Sequence, residues 1–222
     1  MTTLRRILAG AAVVRSILSV RFWSLVAYVR LRVHGASVGR GLRVRGPLRL
    51  HCHRTASIRI GDHCRILSGF AGNPVGGGAR MAIWVGPGGR LNLGHRVGLS
   101  NSTIVCMRAV SIEDEALLGG GSQVFDTDFH SLDPEERTLA AHPRARNAPV
   151  TIRRRAFVGG HSILLKGTIV GEGAVLGAGS VLRSVVPDGQ VWAGNPARFL
   201  RRLPVVPVRS RPRRDEVAEA AR

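Results

Sequence analysis

The sequence predicts an all-β chain wound as a parallel β-helix, and three observations carry that expectation. Aliphatic residues stand six apart at Ile152, Val158, Leu164, Val170, Leu176 and Leu182. Four residues after each of the first five comes a small side chain: Ala156, Ser162, Thr168, Ala174 and Ser180. Composition agrees, with 28 glycines and only 5% aromatics among 222 residues. A period of six cannot be one face of an α-helix, which repeats every 3.6 residues. It fits a short strand followed by a corner, with one large aliphatic pointing inward from each side. Three such sides close a coil of about 18 residues, and stacked coils bury a continuous column.

Weaker copies of the unit begin at Val38-Gly39, Ile60-Gly61, Leu93-Gly94, Ile112-Glu113 and Leu118-Gly119. The register is expected to slip at residues 56–58, 71–81 and 108–111, with the Gly-rich stretch 72–80 as a surface excursion. The largest break lies between Val124 and Ile152. Residues 126–149 abandon the repeat and carry most of the polar chemistry. An insertion in a stacked solenoid must leave the column and project from an edge, where it can reach a neighbouring subunit. The expected organisation is a helix over 1–34, the β-helix with its projecting loop over 35–202, and a basic, flexible tail over 203–222.

Before the repeat, Leu4, Ile7, Ala11, Val14, Leu18, Phe22, Leu25 and Val29 fall three or four apart and would line one helix face. Arg5, Arg6, Arg21 and Arg30 fall mostly off that stripe. Arg15 and Arg21 interrupt the apolar run before the ~20 residues a membrane span needs. A secretory signal is not expected either, because the run over 7–14 stops at Arg15 without a clear cleavage site. Two readings of the stripe stay open: it packs against the end of the domain, or it lies on an anionic membrane.

The formal charge is +19, and of 33 basic residues only Lys166 is a lysine. Coding bias toward arginine and attraction to polyanions both account for such an excess. Nucleic acid is not an expected partner, because the arginines are spread along the chain without a recognition helix or stacking aromatics. Cys52, Cys64 and Cys106 are an odd number without metal-ligand spacing, so no disulfide framework or structural zinc is expected. A reducing cytoplasm suits them, with peripheral attachment at the inner face of the cell membrane as the extension if the helix binds lipid.

The repeat, the segment from Ser180-Val181-Leu182 through Val186-Pro187, and Ala193-Gly194-Asn195-Pro196-Ala197 together resemble the hexapeptide-repeat acyltransferases. The run Phe125-Asp126-Thr127-Asp128-Phe129-His130-Ser131-Leu132-Asp133-Pro134-Glu135-Glu136-Arg137 is similar to the loop of their sugar O-acetyltransferase branch. That branch includes the maltose, galactoside, nodulation and colanic acid acetyltransferases. The resemblance spans about residues 38–202 and is loose before Leu93. It implies a left-handed β-helix, an exception to the usual crossover rule. It also implies acetyl-CoA as acyl donor, no metal, and a homotrimer with three shared sites.

In that resemblance His130 is the general base, which removes the proton of a sugar hydroxyl as it attacks the thioester carbon. Imidazole suits the task because it ordinarily titrates near neutral pH. Asn101 stands 29 residues earlier, where relatives place an asparagine that touches the acceptor or orients the base. Asp128 is a candidate to hold the imidazole tautomer, and Glu136 matches an acid of the maltose-type enzymes. On the donor side, Phe157-Val158-Gly159-Gly160 replaces the usual Trp-Ile-Gly and a small residue. The Gly160 amide is then a donor toward the thioester oxygen, with Ala178 one coil further along the same edge. Phe157, standing in place of the Trp, is a candidate beside the bound CoA. Arg183, Arg198 and Arg201 are candidates for the CoA phosphates through paired donors.

The expected activity is transfer of an acetyl group to a hydroxyl of a sugar, glycan or glycolipid, in surface polysaccharide modification. Serine and sugar N-acetyltransferases are alternatives, although their usual extra N-terminal domains have no counterpart before Val38. A γ-type carbonic anhydrase shares the fold but needs closely spaced histidines near the loop; position 135 is Glu135 and the next histidine is His142. A non-catalytic scaffold would leave the loop without a role.

Overall fold

The computed structural model describes residues 3–138 and 145–204, with helix side chains from Val13 onward. Helix α1 covers Thr3–Val33, and the rest is almost entirely short strands. These pair in parallel and form three faces of one column. Face one runs from Ser37–Val38 to Val185–Val186, and face two from Arg43–Arg45 to Gln190–Gly194. Face three runs from Arg49–Cys52 to Val181–Leu182.

Each coil places one strand on each face before the chain climbs to the next. The six-residue unit emerges as the side of a triangle, and the eighteen-residue step appears as parallel register. Ile152 pairs with Val170 on face one, Val158 with Leu176 on face two, and Leu164 with Leu182 on face three. All six of those side chains are fully buried, each contributing roughly 2 kcal/mol through loss of apolar contact with water. The small residues between them fill the corners: Ala156, Ser162, Thr168, Ala174 and Ser180 are buried as well. Ser162 and Ser180 hydroxyls donate to the Gly177 carbonyl, at 2.9 and 2.6 Å, which satisfies a polar group inside the column.

The corner between faces one and two is a regular stack. Arg96, Glu115 and Arg155 occupy it with left-handed backbone, φ near +60°. The Glu115 carboxylate accepts from Arg96 at 2.6 Å and from Arg155 at 2.9 Å, linking three coils. These two guanidiniums, Arg96 first, hold the Glu115 carboxyl below its ordinary range.

Two segments leave the column. The Gly-rich excursion lies between the strands Arg65–Leu67 and Ala82–Val85, as expected. The slips expected at 56–58 and 108–111 are absorbed differently: Ser57–Ile60 and Ala109–Ile112 are continuous strands in register with Arg90–Leu93. The second segment spans Phe125 to Val150. The tail expected over 203–222 falls almost wholly outside the described residues.

Helix α1 closes the first coil. Ser24 Oγ accepts from the Val44 N–H at 2.8 Å, Arg30 donates to the Leu48 carbonyl at 2.7 Å, and Arg45 donates to Ser16 Oγ. These bonds occupy groups at the open end of a parallel stack, which a solenoid must cap. Ala27 and Leu31 are buried, with Trp23 packed beside them. Of the two readings left open, the helix does pack on the end of the domain, but not through the apolar stripe. Val14, Leu18, Phe22, Leu25 and Val29 are exposed, and the helix packs through the face that carries Ser24 and Ala27. Apolar periodicity located a stripe, but small and polar residues made the closer fit to the coil end.

Candidate active site

Asp126 begins the second excursion. It is fully buried and its carboxylate accepts from three consecutive backbone amides, Met107, Arg108 and Ala109, at 2.7 to 2.8 Å. Such a fan of N–H donors suits a buried carboxylate. Beside it the Cys106 thiol is pushed up to about 12, by burial first and then by the negative charge of Asp126.

The loop then returns on itself. Thr127 bridges Asn147, the Asp128 N–H donates to the Arg146 carbonyl, and the Ala148 N–H to the Asp126 carbonyl. This two-stranded root is tied down by Lys166, whose Nζ lies 2.7 Å from Asp128 Oδ1. Phe129 has φ +64° and packs edge-on against Phe125, with ring centroids 5.1 Å apart. His130 follows, exposed, its N–H donating to the Asp128 carbonyl at 2.7 Å.

Beyond His130, a four-residue helix α2 (Pro134–Arg137) is capped by Asp133, whose carboxylate accepts from the Glu135 and Glu136 N–H groups. Ser131 Oγ donates to Glu136 Oε2 at 2.6 Å. A small polar pocket is thereby lined by Asp128, His130, Ser131, Glu136 and Arg146. The structure thus brings His130, Asp128 and Glu136 together. Asp128 spends one oxygen on Lys166, a partner that the sequence reading did not consider. Residues 139–144, which include His142, lie outside the described residues.

Asn101 lies elsewhere, at the corner between faces two and three. It is buried, with φ +44°, a conformation that asparagine tolerates better than most residues. Its Oδ1 accepts from the Gly69 N–H at 2.7 Å, and its Nδ2 donates to the Asn73 and Val75 carbonyls at 2.7 and 2.9 Å. One amide therefore pins the first excursion through both its donor and acceptor sides. That loop lies against the next coils: a Cβ on Gly120 would come 2.3 Å from the Val75 carbonyl oxygen, and one on Gly160 would come 3.4 Å from Val75 Cγ1.

Gly160 and Ala178 occupy the same corner, one coil apart. A Cβ on Gly159 would fall 2.4 Å from the Ala178 nitrogen, so these coils approach as closely as backbone allows. Among the described residues, neither the Gly160 nor the Ala178 N–H donates to a backbone carbonyl. Phe157 is exposed on the outer side of face two, in register with Leu117 and Val175. Arg198 pairs with Ala193 in the closing antiparallel ribbon, Gln190–Gly194 with Ala197–Arg202, next to that corner. Arg183 does not join it. It follows Val181–Leu182 at the corner between faces three and one, the corner from which the His130 loop leaves.

Within one chain, then, His130 and the Gly160–Ala178 edge stand on opposite edges of face three. Among the described residues, no group of three His, Cys, Asp or Glu side chains is placed to hold a metal ion.

Comparison with known proteins follows the same outline. The family model described as "Hexapeptide repeat of succinyl-transferase" matches residues 149–184. WbbJ of Escherichia coli, described as a lipopolysaccharide biosynthesis O-acetyl transferase, is 31% identical over 112 residues, 45% of this chain and 53% of its own. The galactoside O-acetyltransferase of Escherichia coli is 28% identical over 127 residues, 54% of this chain and 61% of its own. Gamma carbonic anhydrase 1 of Arabidopsis thaliana is 31% identical over 99 residues, 39% of this chain and 36% of its own. The chain therefore spans about half the length of the first two and about a third of the last. Among solved structures, an N-acyltransferase of Bacillus cereus, AntD, in complex with dTDP and coenzyme A, superposes with a TM-score of 0.60 at 17% identity. The match covers 86% of this chain and 92% of that one, and it shows the fold, a left-handed parallel β-helix.

Proposed function

We propose that this chain, which matches the hexapeptide-repeat model over residues 149–184 and two sugar O-acetyltransferases over about half its length, transfers an acetyl group from acetyl-CoA to a hydroxyl of a sugar, glycan or glycolipid. The observation that carries this reading is the presentation of His130 at the head of a loop whose root is fixed by Asp126, Thr127 and Asp128. The O-acetyl descriptions of WbbJ and the galactoside enzyme support a sugar hydroxyl as acceptor. AntD, which shares the fold, was solved with coenzyme A bound, so a column of this kind can take a CoA donor.

In the reaction, His130 takes the hydroxyl proton as the oxygen attacks the thioester carbonyl carbon. The carbonyl π electrons move onto its oxygen, which the Gly160 N–H faces and stabilises. Collapse re-forms the carbonyl and breaks the C–S bond, and the imidazolium returns the proton to the departing thiolate. Both substrates are held together, so no acyl-enzyme is needed. Ala178 and Phe157 border the pantetheine arm, and Arg198 lies at the phosphate end. The site assembles between copies, in a homotrimer, because one chain puts its base and its donor edge on opposite sides of face three. The reaction belongs to the cytoplasmic side of surface polysaccharide synthesis.

The test is release of free CoA thiol from acetyl-CoA with a panel of sugars and oligosaccharides, for the native chain and for His130→Ala. The variant should lose about 10²–10⁴-fold in turnover while CoA binding is retained. Equal turnover of the two proteins would remove His130 as base. Acceptance of amino sugars at nitrogen and not of hydroxyls would turn the reading to N-acetyl transfer.

A further inference from the structure

Helix α1 carries two usable faces, and the column occupies only one. Ser16, Ser24, Ala27, Arg30 and Leu31 meet the first coil. Pointing away from it, Phe22 is 58% exposed and Leu25 63%, and Val14, Leu18 and Val29 are at least half exposed. These five form a continuous apolar strip on a helix that lies across the end of the molecule. A strip of this kind on a soluble surface marks a contact with something apolar. Arg15, Arg21 and Arg32 are exposed along the same helix.

Charge selects the occupant. Twelve arginines precede Asp62, and no acidic residue does. A second copy docked through this strip would bring arginine against arginine with no carboxylate to pair them, a like-charge contact that opposes association. A bilayer of anionic phospholipid offers an apolar layer for the strip and phosphates for the guanidiniums. No helix among the described residues is long and apolar enough to cross a membrane, so the contact lies in the plane of the interface.

We propose that the outward face of α1 docks the protein on an anionic lipid surface, with the first coil of the column toward the bilayer. The helix is then both the lid of the solenoid and its membrane anchor. This stands independently of the chemistry assigned to the other end of the chain.

Sedimentation of the full-length protein with vesicles tests it, using phosphatidylcholine alone and an equal mixture of phosphatidylcholine and phosphatidylglycerol. The native protein should sediment with the mixed vesicles and release as salt is raised. The triple variant Leu18→Ser, Phe22→Ser, Leu25→Ser should bind about tenfold more weakly or worse, with an unchanged melting temperature. Arg15→Glu with Arg21→Glu should lose the preference for anionic vesicles. An environment-sensitive dye on Leu25→Cys, which the three buried native cysteines do not compete for, should shift to the blue with mixed vesicles. Failure of the native protein to sediment, equal binding by the triple variant, or an unshifted dye would overturn the proposal. So would a lipid-free native oligomer that the triple variant breaks apart, which would make a second copy the occupant.

Discussion

Asn101 and Asp126 are both buried polar side chains at corners of the column, and each holds the root of an excursion, yet they bond in opposite directions. The Asn101 amide reaches out to the loop, taking the Gly69 N–H and giving to the Asn73 and Val75 carbonyls. The Asp126 carboxylate reaches back to the coil, taking the amides of Met107, Arg108 and Ala109. An amide with donors and acceptors folds its loop flat against Gly120 and Gly160. A carboxylate, which only accepts, secures the column where the loop departs and leaves the loop to project. In the proposed reaction the flat loop walls the donor edge and the projecting loop delivers the base.

The largest expected effect concerns where those two loops meet. His130→Ala and Ala178→Trp should each be close to inactive, since one removes the base and the other blocks the exposed donor edge. Co-assembled in equal amounts, they should recover roughly a quarter of native turnover, because mixed trimers contain some sites with both parts intact. Mixed oligomers that stay inactive would place the base and the edge in the same chain and end the contrast drawn between them.

Next is Asp126→Ala, which leaves three part-buried amides without an acceptor and should cost on the order of 3 kcal/mol in denaturant unfolding. It should also raise labelling of Cys106 by a thiol reagent, since a loosened corner relieves the burial that chiefly suppresses the thiol and the neighbouring charge is gone. A fully stable variant with an unreactive Cys106 would mean that the corner holds without its carboxylate.

Asn101→Ala should cost about 2–3 kcal/mol, from the loss of both faces of the amide. If Asn101 served only the acceptor, turnover would fall with stability intact. That outcome, read from a melting curve beside an assay, would overturn the pinning role.

The smallest effect belongs to the corner that carries no excursion. The Glu115 carboxyl is depressed in the folded state by Arg96 and Arg155, so its stabilising contribution is complete above the ordinary glutamate range and disappears as pH falls through the depressed value. Glu115→Gln should slightly flatten the fall in melting temperature between neutral and acid pH. An unchanged acid limb would show that solvent screens the pair completely.

The regular coils were legible because burial there depends on one aliphatic per side, and Ile152 to Leu182 state that pattern without interruption. His130 was found through a local motif in a place where the repeat stops. Asn101 was located but its bonds to Asn73 and Val75 were not legible, since they depend on a loop path that no periodicity encodes. Asp126 and Lys166 were passed over for a similar reason: their partners stand 17–19 and 38 residues away in sequence. The orientation of α1 stayed open because both of its faces carry apolar residues, and only the hydroxyl of Ser24 and the size of Ala27 decide which one fits the coil end.

The ion pair between Lys166 and Asp128 has one more consequence. Lys166 is the chain's single lysine, so an amine-directed label has one side-chain target, and that target sits at the root of the His130 loop. Protection of this amine from acylating reagents, read at the Lys166 peptide of the purified protein, becomes a readout of whether the loop is seated.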